Sequence, residues 1–78
     1  MKSTKYKSGE KDFLLKFGKN LKLHRVAKGF TQEKLALEID VPLSQVARIE
    51  LGEINTGVLS VNKIAIALKI HPKELFNF

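Results

Sequence analysis

Few side chains in this 78-residue chain are of a kind that makes or breaks covalent bonds. There is no cysteine, so neither a disulfide framework nor a thiolate metal site can form, and the two histidines, His24 and His71, stand far apart in the chain. No nucleophile is matched with a base, and no glycine-rich loop is available to cradle phosphate. The chain is therefore not expected to be an enzyme or to carry a metal, a cofactor or a small-molecule ligand. What remains is hydrogen-bonding chemistry, and it is concentrated in residues 43 to 51. Placing these residues about 100° apart around a helix puts Val46, Ile49 and Glu50 on one side and Ser44, Arg48 and Leu51 on the other, with Gln45 and Ala47 flanking. Leu43 falls on the boundary. An arginine fork can donate two parallel bonds to one planar acceptor edge, while a hydroxyl and an amide can both donate and accept.

The flanking residues supply the elements that would hold this face outward. From Asp12, Phe13, Phe17, Leu21 and either His24 or Arg25 recur at spacings of three to four and predict a first helix, ending at Gly29, which can take the left-handed conformation. Thr31 then fits an N-cap, with Phe30 and Leu35 placed as a hydrophobic staple; Lys34 at the third position rules out a reciprocal capping box. A second helix over residues 32 to 39 would bury Leu35, Ala36 and Ile39, and Asp40 sits where a left-handed turn residue is needed. Pro42 opens the third helix and Gly52 stops it. After a loop from Glu53 to Gly57, a fourth helix over residues 58 to 69 would bury Val58, Val61, Ile64, Ala65 and Leu68. Pro72 opens a short fifth helix ending near Phe76. With no strand pattern, repeat or second domain, residues 12 to 78 read as a compact all-α bundle of five short helices.

Residues 1 to 11 hold one aromatic and no aliphatic beyond Met1, so burial cannot repay the entropy of ordering them, and they read as a flexible basic arm. The formal net charge is +6, and its distribution is uneven. Residues 1 to 29 hold nine basic side chains against Glu10 and Asp12, so the positive field lies at one end and points to an anionic partner. Neither a signal peptide nor an apolar run of about 18 residues is present, which predicts a cytoplasmic protein without a membrane partner.

The segment 31-TQEKLALEIDVPLSQVARIELGE-53 resembles the helix-turn-helix of the Xre, Cro and phage-repressor family. The likeness extends from about Phe17 to Phe76. It rests on Thr31-Gln32, Leu35-Ala36, Val41, Val46, Ile49-Glu50 and Gly52, then on Lys63-Ile64-Ala65, Leu68 and the closing Pro72 to Phe76. It implies a lambda-repressor-like DNA-binding domain whose third helix enters the major groove of double-stranded DNA, with no cofactor. Leu43, Ser44, Gln45, Ala47 and Arg48 are then the base-contact candidates. Arg48 can pair with guanine O6 and N7, Gln45 with adenine N6 and N7, and Ser44 with most base edges, while Leu43 either touches a thymine methyl or covers the core. For Arg48 a phosphate contact is the other reading. The resemblance further implies phosphate contacts from Gln32, with Thr31 either helping or acting only as a cap, and from Asn55 and Thr56 in the loop, where Glu53 replaces a residue that is often basic. It also implies an internal ion pair between Arg25 and Glu50.

One recognition helix covers few base pairs, so such regulators generally pair across a palindromic operator with half-sites about 34 Å apart. Leu59 and Ile66, opposite the core stripe of the fourth helix, and Phe76 and Phe78 are the candidate homodimer surface, unless the fifth helix folds back over them. A repressor, a restriction-modification controller and an antitoxin share this pattern, and a protein-interaction module on the same fold is the reading from a different class.

Overall fold

The structure, a computed structural model, describes residues 5–78. Four α-helices follow one another, α1 (Ser8–Ala27), α2 (Gln32–Ile39), α3 (Leu43–Glu50) and α4 (Val58–Leu68), and a 3-10 helix at Pro72–Phe76 closes the chain. The all-α class thus stands, with the fifth element a tighter 3-10 turn. The first helix begins four residues earlier than its apolar pattern, because the Lys7 amide donates to Oε1 of Glu10 at 3.0 Å and satisfies one of the free donors at that end. Residues 8 to 11 of the expected arm are therefore helical. Residues 1 to 4 lie outside the described residues.

All four α-helices end in one way. The residue after the last turn takes a left-handed conformation, at Gly29 (φ 76°), Asp40 (φ 58°), Gly52 (φ 73°) and Lys69 (φ 58°). Its amide and the next one turn back onto the helix. In α1, for example, the Gly29 amide donates to the Val26 carbonyl at 2.9 Å and the Phe30 amide to the Arg25 carbonyl at 3.0 Å. This is the Schellman arrangement, which satisfies the orphan carbonyls and reverses the chain within a few residues. The α2–α3 connection is therefore only three residues long, and Thr31 caps α2 by accepting from the Lys34 amide at 3.0 Å.

The core collects one stripe from each element: Phe17 and Leu21 of α1, Leu35, Ala36 and Ile39 of α2, Val46 and Ile49 of α3, Val61, Ile64, Ala65 and Leu68 of α4, and Leu75. Burying a side chain such as Leu21 or Leu35 completely contributes roughly 1.5–3 kcal/mol. Val58 does not join the α4 stripe: it is 85% exposed. Phe13 is likewise half-exposed, and its ring meets the C-terminal aromatics instead. Asn20 ties the closing turn to α1, donating from Nδ2 to the Glu74 carbonyl at 2.7 Å.

Candidate nucleic-acid interface

Helix α3 divides sharply into two sides. Val46, Ile49 and Glu50 are buried, whereas Leu43, Ser44, Arg48 and Leu51 are exposed and Gln45 and Ala47 lie between. No side chain caps its N-terminus and no acid lies in its first turn, so free amides and a positive partial charge face outward there.

Three contacts fix the orientation of that helix. At Gly18, α1 touches the end of α3 backbone to backbone: a Cβ there would lie 2.4 Å from the Ile49 carbonyl oxygen and 2.5 Å from that of Glu50. At Gly52 a Cβ would meet the Leu15 Cα at 2.8 Å, so glycine is required there for space as well as for its positive φ. The third contact is charged. Arg25 donates through Nε to Oε2 of Glu50 at 2.6 Å and through Nη2 to Oε1 at 3.1 Å, and its Nη1 reaches the Phe30 carbonyl at 2.7 Å. Arg25 and Glu50 are 7% and 8% exposed, so each charge depends on the other for solvation.

The loops beside α3 complete the surface. Gln32 stands at the start of α2, as the phosphate-contact reading requires, but its Nε2 donates to Oε1 of Glu50 at 2.9 Å. It thereby joins the charged cluster, leaving its carbonyl oxygen and second amide proton for other partners. Thr31 accepts from the Lys34 amide through Oγ1 and keeps its hydroxyl proton to donate. Asn55 is exposed, in an open depression shared with Tyr6, Glu10 and Phe13 at the start of α1. Thr56 is half-buried in the same loop. Its Oγ1 is buried without a hydrogen-bond partner, so its hydroxyl is withdrawn from the surface a phosphate would approach.

The expected dimer residues fall into two groups. Leu59 and Ile66 are 77% and 67% exposed on the outer side of α4. Phe76 and Phe78 are about half-exposed, because their rings pack on α1: Phe76 lies 5.0 Å from Phe17 and Phe78 lies 5.3 Å from Phe13. Among the described residues, no group of three or more His, Asp or Glu could hold a metal ion, and no helix is long and apolar enough to cross a membrane.

Sequence reasoning missed Gly18, the Gln32–Glu50 bond and Asn20. The first has no side chain to show in an apolar pattern, and the other two are long-range polar contacts with no periodicity.

The helix-turn-helix family model matches residues 21–75, most of the chain and every element from the end of α1 to the closing turn. The chain belongs to the helix-turn-helix family. It is a DNA-binding regulator of that family. It is similar to control protein C.BamHI of Bacillus amyloliquefaciens, at 37% identity over 82% of this chain and 80% of that one. Control protein C.MunI of a Mycoplasma species is 34% identical over 85% of this chain and 90% of its own. Among solved structures, the restriction-modification controller protein C.AhdI from Aeromonas hydrophila superposes with a TM-score of 0.79. It shares 43% identity over 81% of this chain and 96% of its own.

Proposed function

We propose that this helix-turn-helix regulator is a controller of restriction-modification genes that binds a palindromic operator as a homodimer, with one α3 per protomer in the major groove. It acts in the cytoplasm and without catalysis. The observation that carries the DNA-reading surface is the division of α3: Ser44 and Arg48 project outward while Val46, Ile49 and Glu50 anchor the same two turns inward. Leu43, Gln45 and Ala47 flank that face and complete the set meeting base edges, and Gln32, Thr31 and Asn55 hold the adjoining phosphates. The controller assignment rests on the three relatives named as control or controller proteins.

Size and α4 support the dimer reading. A protomer measuring 37 × 25 × 20 Å is about the size of one duplex turn, which suits one protomer per half-site. Leu59 and Ile66, seven residues apart on one face of α4, give the apolar centre of the contact.

The test is selection of bound sequences from a random duplex pool, with Arg48→Ala alongside the wild type. The expected result is a palindrome with half-sites one turn apart, and loss of preference at one position per half-site in Arg48→Ala at an unchanged melting temperature. A pool that returns no sequence preference removes the reading.

A further inference from the structure

The end of α3 differs from the other three helix ends in one respect. In each, the two-bond turn brings together the residue two places past the cap and the residue five positions before it, a pair that usually makes an apolar contact. Phe30, Val41 and Ile70 take the outer position after α1, α2 and α4, and all three pack against the core. After α3 that position is Glu53, whose amide donates to the Arg48 carbonyl at 2.9 Å. Its carboxylate pairs with the arginine side chain, with Oε1 lying 3.5 Å from Arg48 Nε. An exposed ion pair thus stands where the other three helix ends place an apolar side chain against the core, on the face assigned to DNA.

Stability does not explain the exchange. The two side chains are 57% and 53% exposed, and an ion pair that open to water contributes almost nothing to folding. Geometry gives it another use. A guanidinium can grip a planar acceptor along two edges, one formed by Nε and one terminal nitrogen, the other by the two terminal nitrogens. The carboxylate lies on the Nε side of the guanidinium, 3.5 Å away, which leaves the edge of the two terminal nitrogens open, and a guanine presents O6 and N7 at matching separation. The same carboxylate offsets the arginine charge and repels phosphate, so Arg48 is drawn away from non-specific backbone contact.

We propose that Glu53 is the specificity-determining partner of Arg48, a positioning residue that turns a mobile cation into an end-on reader of guanine and lowers affinity for unrelated sequence. The inference rests on the placement of α3 in the major groove. Its site is set by the backbone: Gly52 alone fits the tight left-handed position between the two residues, so the carboxylate cannot drift along the chain.

The experiment measures binding of wild type, Glu53→Gln, Arg48→Ala and the double variant to the selected operator, to duplexes substituted at each half-site position, and to random duplex, across a salt series. Glu53→Gln is expected to keep the wild-type melting temperature and to lose roughly ten-fold in discrimination at the position read by Arg48. It should also bind random duplex more tightly, with a salt slope steeper by up to about 0.9 per protomer. In the Arg48→Ala background the same substitution should leave discrimination unchanged. If Arg48→Ala abolishes preference at one position while Glu53→Gln leaves it intact, the Glu53 proposal is overturned and the α3 reading survives. If Arg48→Ala changes preference at no position, both fall.

Discussion

Arg25 and Glu50 face each other through a two-pronged hydrogen-bonded ion pair, 2.6 Å at its shorter arm, that fastens the last turn of α1 to the last turn of α3. The two residues lie 25 positions apart and neither touches the exposed face of α3, so their role is architectural. Removing either partner leaves a buried charge without its counterpart. Glu50→Ala is expected to cost about 3–5 kcal/mol, and Arg25→Ala a similar amount. The double variant should cost clearly less than the two together, since the residues are in direct contact. Thermal denaturation of the four proteins measures the coupling, and a Glu50→Ala protein that melts with the wild type would end the architectural reading.

Gly18→Ala tests the backbone contact between α1 and α3. The added methyl would sit inside van der Waals contact of two carbonyl oxygens, so the helices must separate. A loss of about 1–3 kcal/mol is expected from such overpacking, visible as a lower urea midpoint. Gly9→Ala is the control: nothing lies within 4 Å of a Cβ there, and alanine is the better helix former. An unchanged midpoint in Gly18→Ala would mean that the close approach is not made in solution.

Lys69→Gly should stabilise the protein. Lysine at φ 58° holds a left-handed conformation that its Cβ disfavours by about 1–2 kcal/mol, and glycine relieves that strain while adding some unfolded-state entropy. A net gain of about 0.5–1 kcal/mol would raise the melting temperature by several degrees in a domain of this size. Lys63→Gly, inside α4, should move it the other way by about 1 kcal/mol. A fall in melting temperature for Lys69→Gly would contradict the helix ending seen here.

The two groups of exposed apolar residues should behave differently on substitution. Phe76→Ala removes a ring that packs against Phe17 and Phe13, so the fold itself should weaken by about 1 kcal/mol or more, at every protein concentration. Leu59→Asp alters a side chain that is 77% exposed and should leave the protomer within about 0.5 kcal/mol of wild type while weakening self-association. Sedimentation at several concentrations, set beside melting curves, distinguishes them. Equal self-association in wild type and Leu59→Asp would move the proposed contact away from α4.

Much of this fold is written in local signals. The cap at Thr31, the left-handed turn at Asp40, the stop at Gly52 and the two sides of α3 each follow from a residue type or a 3.6-residue spacing, and α2 has the bounds its pattern predicts. Arg25 opposite Glu50 came from family likeness, with the helical wheel turning Glu50 inward. The start of α1 was not legible, because Ser8, Gly9, Glu10 and Lys11 are exposed and their helical state depends on the turn that follows. Val58 shows the limit of periodicity: in register with a core stripe, it is nonetheless 85% exposed, because which turns of a helix have neighbours is not a local signal. Gly18 and the buried hydroxyl of Thr56 depend on what another segment places against them, and no single stretch of sequence contains that information.

The absence of a side chain at Gly18 bears on which partner would adapt if α3 docks as proposed. Where two main chains abut, no pliable layer of methyl groups remains through which one rod could roll over the other. In the proposed docking, a reading helix held at one angle would leave a duplex whose groove does not already match to bend or twist, at an elastic cost that depends on its base steps. Under that docking, sequence would be sensed at steps that no side chain reaches.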